Sequence, residues 1–185
     1  MTDVVKMKVL FISRINALKE FGGDTLQAKS YKTYLEKSLN INIVFADEAM
    51  VGEYFDVIQI FNLDLVHEIC FQIHEKKISY GKIIVSPIHH SFNHIIEFFR
   101  LSENLDFFSK IFGMGYHIKT TVRLLSKVST QSFHLLFYSR RKLIKKLIDN
   151  CYAIVFNGED EKKWFEEDFK IHVHTDKQIY IGNGA

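Results

Sequence analysis

Apolar residues fall along this chain in two alternating rhythms. Lys8 to Ser13 carries the run Val9-Leu10-Phe11-Ile12, short and without polar interruption, which is the pattern of a parallel strand covered on both faces. Ile41 to Phe45, Val57 to Phe61, Ile83 to Val85, Ala153 to Phe156 and Gln178 to Ile181 repeat the signal and predict further strands. Between them the spacing turns helical. Leu26, Tyr31, Tyr34, Leu35 and Leu39 recur at helical intervals just after Gly22-Gly23, with Asp24 and Gln27 three apart as in a capping box. Val66, Ile69, Cys70 and Ile73 predict a helix over Leu65 to Lys77, and Glu159 to Asp168 reads as a short acidic helix. The stretch from about Phe92 to Asn150 breaks the rhythm. It is rich in phenylalanine, leucine and basic residues and predicts several helices with a turn near Gly113-Met114-Gly115.

Strand and helix in alternation predict an α/β fold, a Rossmann-like doubly wound parallel sheet with helices on both faces, whose ligands bind beyond the carboxyl ends of the strands. The 185 residues suffice for one such domain and not for two. Hydrophobic residues at 47% and charged residues at 25% give the balance of a folded chain. A lone proline, Pro87, leaves no room for a proline-rich linker, and there is no repeat to divide the chain. The expected unit is therefore a single domain over residues 1–185, with a helical, apolar and basic insertion at about 92–150.

A net charge of +2 gives no argument for nucleic acid as a partner. Cys70 and Cys151 each sit inside an apolar run, as buried hydrophobes in a reducing, cytosolic compartment do. No segment reaches the roughly 18 uncharged apolar residues of a membrane span, so membrane contact is expected only as peripheral.

Three features can carry chemistry. Gly22-Gly23-Asp24 lies between the first strand and the first helix, where glycine lets backbone N–H groups approach an anion. The same glycines also suit an ordinary tight turn. They form neither G-x-G-x-x-G nor a P-loop, and Asp24 repels a phosphate unless it only caps the helix. His89, His90 and Ser91 follow the fourth strand directly, and imidazole suits proton handling and hydroxyl binding. An exposed loop histidine is the plain alternative. His90 with His94, and His172 with His174, have spacings that could share a metal, but no cysteine or third ligand accompanies either pair, so no metal site is expected. The chain carries no G-x-S-x-G nucleophile elbow. Third, Arg140, Arg141, Lys142, Lys145 and Lys146 give a helix with a cationic face, suited to an anionic membrane surface or a pyrophosphate-linked acceptor, or simply to solvent. Lys119, Arg123, Lys127 and the dense phenylalanines from Phe92 to Phe112 extend the membrane reading.

In order along the chain, Lys8 to Ser13, the Gly22-Gly23 turn, Tyr54-Phe55-Asp56-Val57-Ile58-Gln59-Ile60, Gly81 to His89, the basic helix, Asp149 to Asn157 and Tyr180-Ile181-Gly182-Asn183-Gly184 resemble the N-terminal domain of retaining family-4 glycosyltransferases of GT-B architecture. The resemblance implies a domain that binds the acceptor, a glycan or lipid-linked molecule. A second domain, beyond this chain, binds the nucleotide-sugar donor, and no essential metal takes part. Gly22 and Gly23 are then implied to meet the donor diphosphate or transferred sugar, and His89 to lie beside that sugar as the candidate catalytic residue. Arg14, His90 and Ser91 are the weaker candidates for acceptor contacts. Gln59, Phe61 and Gly182 depart from the family pattern, and the family's paired glutamates belong to the second domain. The chain alone is therefore expected to be inactive. The alternatives are a non-catalytic Rossmann-like binding module and a peripheral membrane adaptor.

Overall fold

A computed structural model of the chain describes residues 6–89, apart from 16, 20 and 21, together with residues 139–181. Six parallel strands form one sheet: β1 (Met7–Ile12), β2 (Ile41–Phe45), β3 (Tyr54–Phe61), β4 (Ser79–Ser86), β5 (Ala153–Phe156) and β6 (Gln178–Tyr180). Their order is β2-β1-β3-β4-β5-β6. The described helices are α1 (Gly23–Ser38), α2 (Val66–Glu75), α3 (Arg140–Asn150) and α4 (Glu159–Phe169), with 3-10 turns at Leu63–Leu65 and Thr175–Lys177. This is the expected Rossmann-like α/β fold. The chain steps leftward from β1 to β2 and rightward from β3 onward, so the direction of winding reverses between β1 and β3, where an open parallel sheet has its crevice.

Reversal puts helices on both faces. Val9, Phe11, Ile43, Phe45 and Phe61 pack with Ala28, Tyr31 and Leu35 of α1 on one side. Leu10, Ile12, Ile58, Ile60, Val85 and Phe156 pack with α2, α3 and α4 on the other. Consecutive β1 residues therefore enter opposite cores, which is why its apolar run does not alternate. Phe61 is fully buried, with its ring edge-on to Phe11 at 5.1 Å between centroids; the departure from the family pattern at this position is thus a core residue.

Three expected boundaries shift. β3 and β4 begin earlier than their apolar segments, because Tyr54 pairs with Ser79 and Phe55 with Tyr80, in a stretch where Phe55 is buried but Tyr54, Asp56, Tyr80 and Lys82 are exposed. α1 starts at Gly23 with Gly22 as its N-cap, and the Asp24/Gln27 capping box does not form. Asp24 turns instead to Ser13 and Thr25, while the Gln27 amide donates to Tyr31 Oη and Asn157 Oδ1. The inward face of α1 is also narrower than the spacing suggests, since Leu26, Tyr34 and Leu39 are exposed. Of the helices expected over 92–150, α3 lies within the described residues; the turn at Gly113-Met114-Gly115 and residues Lys119, Arg123 and Lys127 lie outside them. Among the described residues, no helix is long and apolar enough to cross a membrane.

Ile144 of α3 is fully buried against the sheet, whereas Leu26 of α1 is 65% exposed. Truncating a buried isoleucine removes its transfer energy and leaves a cavity, so Ile144→Ala is expected to lower unfolding free energy by about 2–5 kcal/mol. Leu26→Ala should change it by less than about 0.5 kcal/mol. Urea midpoints of the two variants compare them directly.

Candidate functional site

At the carboxyl edge each strand must release its chain, and the backbone groups of the departing turn need new partners. Beyond β1, Ile15 N–H donates to Glu68 Oε2 of α2 at 2.9 Å, and the Gln72 amide donates to Ser13 carbonyl at 2.6 Å. Glu68 and Gln72 are both buried. These bonds fix the start of the loop that leads from β1 to the glycines.

The glycines then differ in what surrounds them. A Cβ on Gly22 would stand 2.5 Å from Arg14 Nη2 and 2.9 Å from Asp24 Oδ1, while a Cβ on Gly23 meets nothing within 4 Å. Gly22 is small because Arg14 lies against it. Gly23 faces open space at the first turn of α1, where helix N–H groups point outward. The Asp24 carboxylate does not oppose an anion there. It is buried, accepts from Ser13 Oγ at 2.8 Å and from Thr25 N–H at 2.8 Å, and lies 3.7 Å from the Arg14 guanidinium. Arg14, Gly22 and Gly23 thus form one surface at the switch between β1 and β3, as their positions in the sequence suggested.

His89 sits elsewhere on this edge and is turned inward, 3% exposed. Its Nδ1 lies 3.0 Å from Asp64 Oδ1 and its Nε2 2.9 Å from Asp168 Oδ2. Its backbone N–H donates to Glu161 Oε1 at 2.9 Å, and the other oxygen of Glu161 accepts from Asn157 N–H at 2.6 Å. Phe165 and Phe169 of α4 wall the ring, with centroids at 5.9 and 5.0 Å. Arg140 also bonds Asp64, and its guanidinium lies 4.8 Å from the Phe169 ring. The preceding Ile88 takes φ 47, a left-handed conformation that is costly for a β-branched side chain and that aims His89 at these acids.

Burial by itself pushes the His89 imidazolium toward neutrality, but hydrogen bonds and charges from Asp64 and Asp168 together outweigh it and raise its pKa above the ordinary 6.5. With both ring nitrogens engaged, His89 ties the end of β4 to α4 and to the Leu63–Leu65 turn. The role implied for it, contact with a transferred sugar, asks for an open ring edge, whereas both ring nitrogens here face carboxylates of the same chain. His90 and Ser91 lie outside the described residues.

Arg141, Lys142 and Lys145 project from α3 as exposed side chains, as does Lys146, opposite buried Leu143, Ile144 and Ile148. Arg140 belongs to the His89 cluster instead. The cationic face is accordingly real but smaller than the sequence run. Both cysteines are free; burial pushes the Cys70 thiol up to about 11 and raises Cys151 as well, so neither is a poised nucleophile.

Asp64, Glu68, Gln72, Glu161 and Asp168 were not among the residues the sequence suggested. Glu161 and Asp168, seven apart on the predicted acidic helix, share its inward face and carried a readable signal. Asp64 carried none. Compared with protein-family models, curated proteins and solved structures, the chain matches none.

Because the folded state holds the His89 proton more tightly than the unfolded chain does, its contribution to stability is complete below pH 6.5 and is lost as pH rises through the raised pKa. The stability advantage of the wild type over His89→Gln is therefore expected to be largest at or below pH 6.5 and to shrink on the alkaline side, as read from denaturant midpoints at a series of pH values. An advantage that grows with pH contradicts this. Glu161→Ala strips acceptors from two backbone N–H groups at once and should cost about 3 kcal/mol or more; Glu161→Gln, which keeps one acceptor oxygen, should cost less in the same assay.

Proposed function

We propose that this chain is the acceptor-side, N-terminal domain of a GT-B glycosyltransferase that passes a sugar from a nucleotide-sugar to a glycan or lipid-linked acceptor. The observation that carries the reading is an open Gly23 at the N-terminus of α1 next to Gly22, against which Arg14 lies, at the switch point of a doubly wound sheet. Helix N–H groups and a guanidinium together favour the charge that grows on a leaving diphosphate. Asp24, the one acid in the motif, is buried on Ser13, Thr25 and Arg14 and offsets part of the charge of that guanidinium, so the helix N–H groups carry the larger share. This half supplies one wall of the cleft, and a donor domain supplies the other.

In this reading His89 keeps its place in the mechanism as a positioning residue, since the cluster it closes sets where β4 hands on the chain. Retaining transfer proceeds without an essential metal, the amides of Gly22 and Gly23 serving as the fixed positive pole. The exposed lysines of α3 favour a second site of action at the cytosolic face of a membrane, with an anionic lipid-linked acceptor.

Gly23→Val is a clean probe, because the fold leaves space for the side chain while that space is where the donor must come. In the full gene product, assayed against a panel of nucleotide-sugars, the variant is expected to fold normally and lose transfer by about 100-fold or more. Unchanged transfer contradicts the reading. The 185-residue chain by itself is expected to transfer no sugar, and a reading frame continuing past Ala185 into a second α/β domain is what the proposal requires. A stop codon there favours an anion-binding module without catalysis.

A further inference from the structure

Beyond α4 the chain runs Ile171-His172-Val173-His174 outside any helix or strand, with alternating burial and with His174 extended. Ile171 and Val173 are buried at 7% and 0%, while His172 and His174 are exposed. With burial alternating along the segment, the two aliphatic residues turn inward and both imidazoles face solvent. Their ring centroids stand 5.8 Å apart.

The segment is pinned along its length. Lys170 closes α4 in the left-handed conformation, and Ile171 N–H donates to Glu166 carbonyl at 3.2 Å. Val173 N–H donates to Glu166 Oε1 at 2.7 Å, and Val173 carbonyl accepts from the Gln178 amide at 2.6 Å. The same Glu166 oxygen lies 3.2 Å from His172 Nδ1. A carboxylate on Nδ1 draws the ring proton to that nitrogen and leaves the Nε2 lone pair outward, the arrangement that orients metal-binding histidines.

We propose that His172 and His174 form a two-point chelate for a late first-row divalent ion, of the copper, nickel or zinc class, with Glu166 as the residue that positions His172. Imidazole pairs suit these ions, and hard oxygen-seeking cations such as magnesium have no fitting donors here. Among the described residues, no group of three or more histidine, cysteine, aspartate or glutamate side chains is arranged to hold a metal, so water completes the coordination. The chelate follows a helix that runs back from the carboxyl edge and precedes β6. It therefore belongs to the amino-terminal edge of the sheet, away from Gly22 and Gly23, and stands independently of the glycosyltransferase reading.

The test is calorimetric titration of the protein with Ni²⁺, and separately with Zn²⁺ and Mg²⁺, in a non-chelating buffer. The double variant H172A/H174A is expected to bind one equivalent of Ni²⁺ and of Zn²⁺ fewer than the wild type, with Mg²⁺ showing no such difference. Both side chains face solvent, so the double variant should keep the wild-type circular dichroism; His174→Gln alone should lose the same equivalent. Glu166→Gln should keep the equivalent but bind it about tenfold more weakly. Equal stoichiometry and affinity in wild type and double variant overturn the site, and unchanged affinity in Glu166→Gln overturns the positioning role of the carboxylate.

Discussion

Every strand of a parallel sheet ends by releasing backbone N–H groups into a turn, and here buried acids on the helices receive them after β1, β4 and β5, while backbone carbonyls do so after β2 and β3. Glu68 of α2 holds the turn after β1, and Glu161 of α4 holds the turns after both β4 and β5. Charge-assisted bonds of this kind are stronger than neutral ones, but a buried carboxylate is tolerated only when its charge is answered. Glu68 and Glu161 accept from backbone N–H groups, while the neighbouring acids carry the ion pairs of this edge: His89 lies between Asp64 and Asp168, Arg140 bonds Asp64, and Arg14 lies beside Asp24. Charge at this edge is thus largely matched within the chain.

That constraint separates two kinds of polar residue that look alike in sequence. Asp24 and His89 both have the side chains of a working site, and both are committed to the protein's own backbone and charges. Gly22 and Gly23, which carry no chemistry of their own, leave the space and backbone groups that an outside ligand can use. Packing explains their difference: Gly22 makes room for Arg14, and Gly23 faces open space.

Much of the fold was legible because burial on both faces writes uninterrupted apolar runs, and β1, β2 and β5 are short enough to be nothing else. The amino-terminal halves of β3 and β4 were not legible. Residues such as Asp56 and Lys82 are exposed in the ladder, so no hydrophobic signal marks them. The candidate site was legible where backbone position decides, as at Gly22 and Gly23 after the first strand. It was illegible where distant residues meet, since nothing in the sequence links Asp64 to His89 or to Asp168. The place of His89 at a strand end pointed to an exposed ligand contact, and the left-handed turn at Ile88 reversed its direction.

Under the proposed function the first turn of α1 is the contact point for a sugar diphosphate, and amide hydrogen exchange reads that turn directly. In the full gene product, saturation with its nucleotide-sugar is predicted to slow exchange at Gly23 and Asp24. Turnover of the donor with exchange in Gly22 to Thr25 unchanged would contradict it.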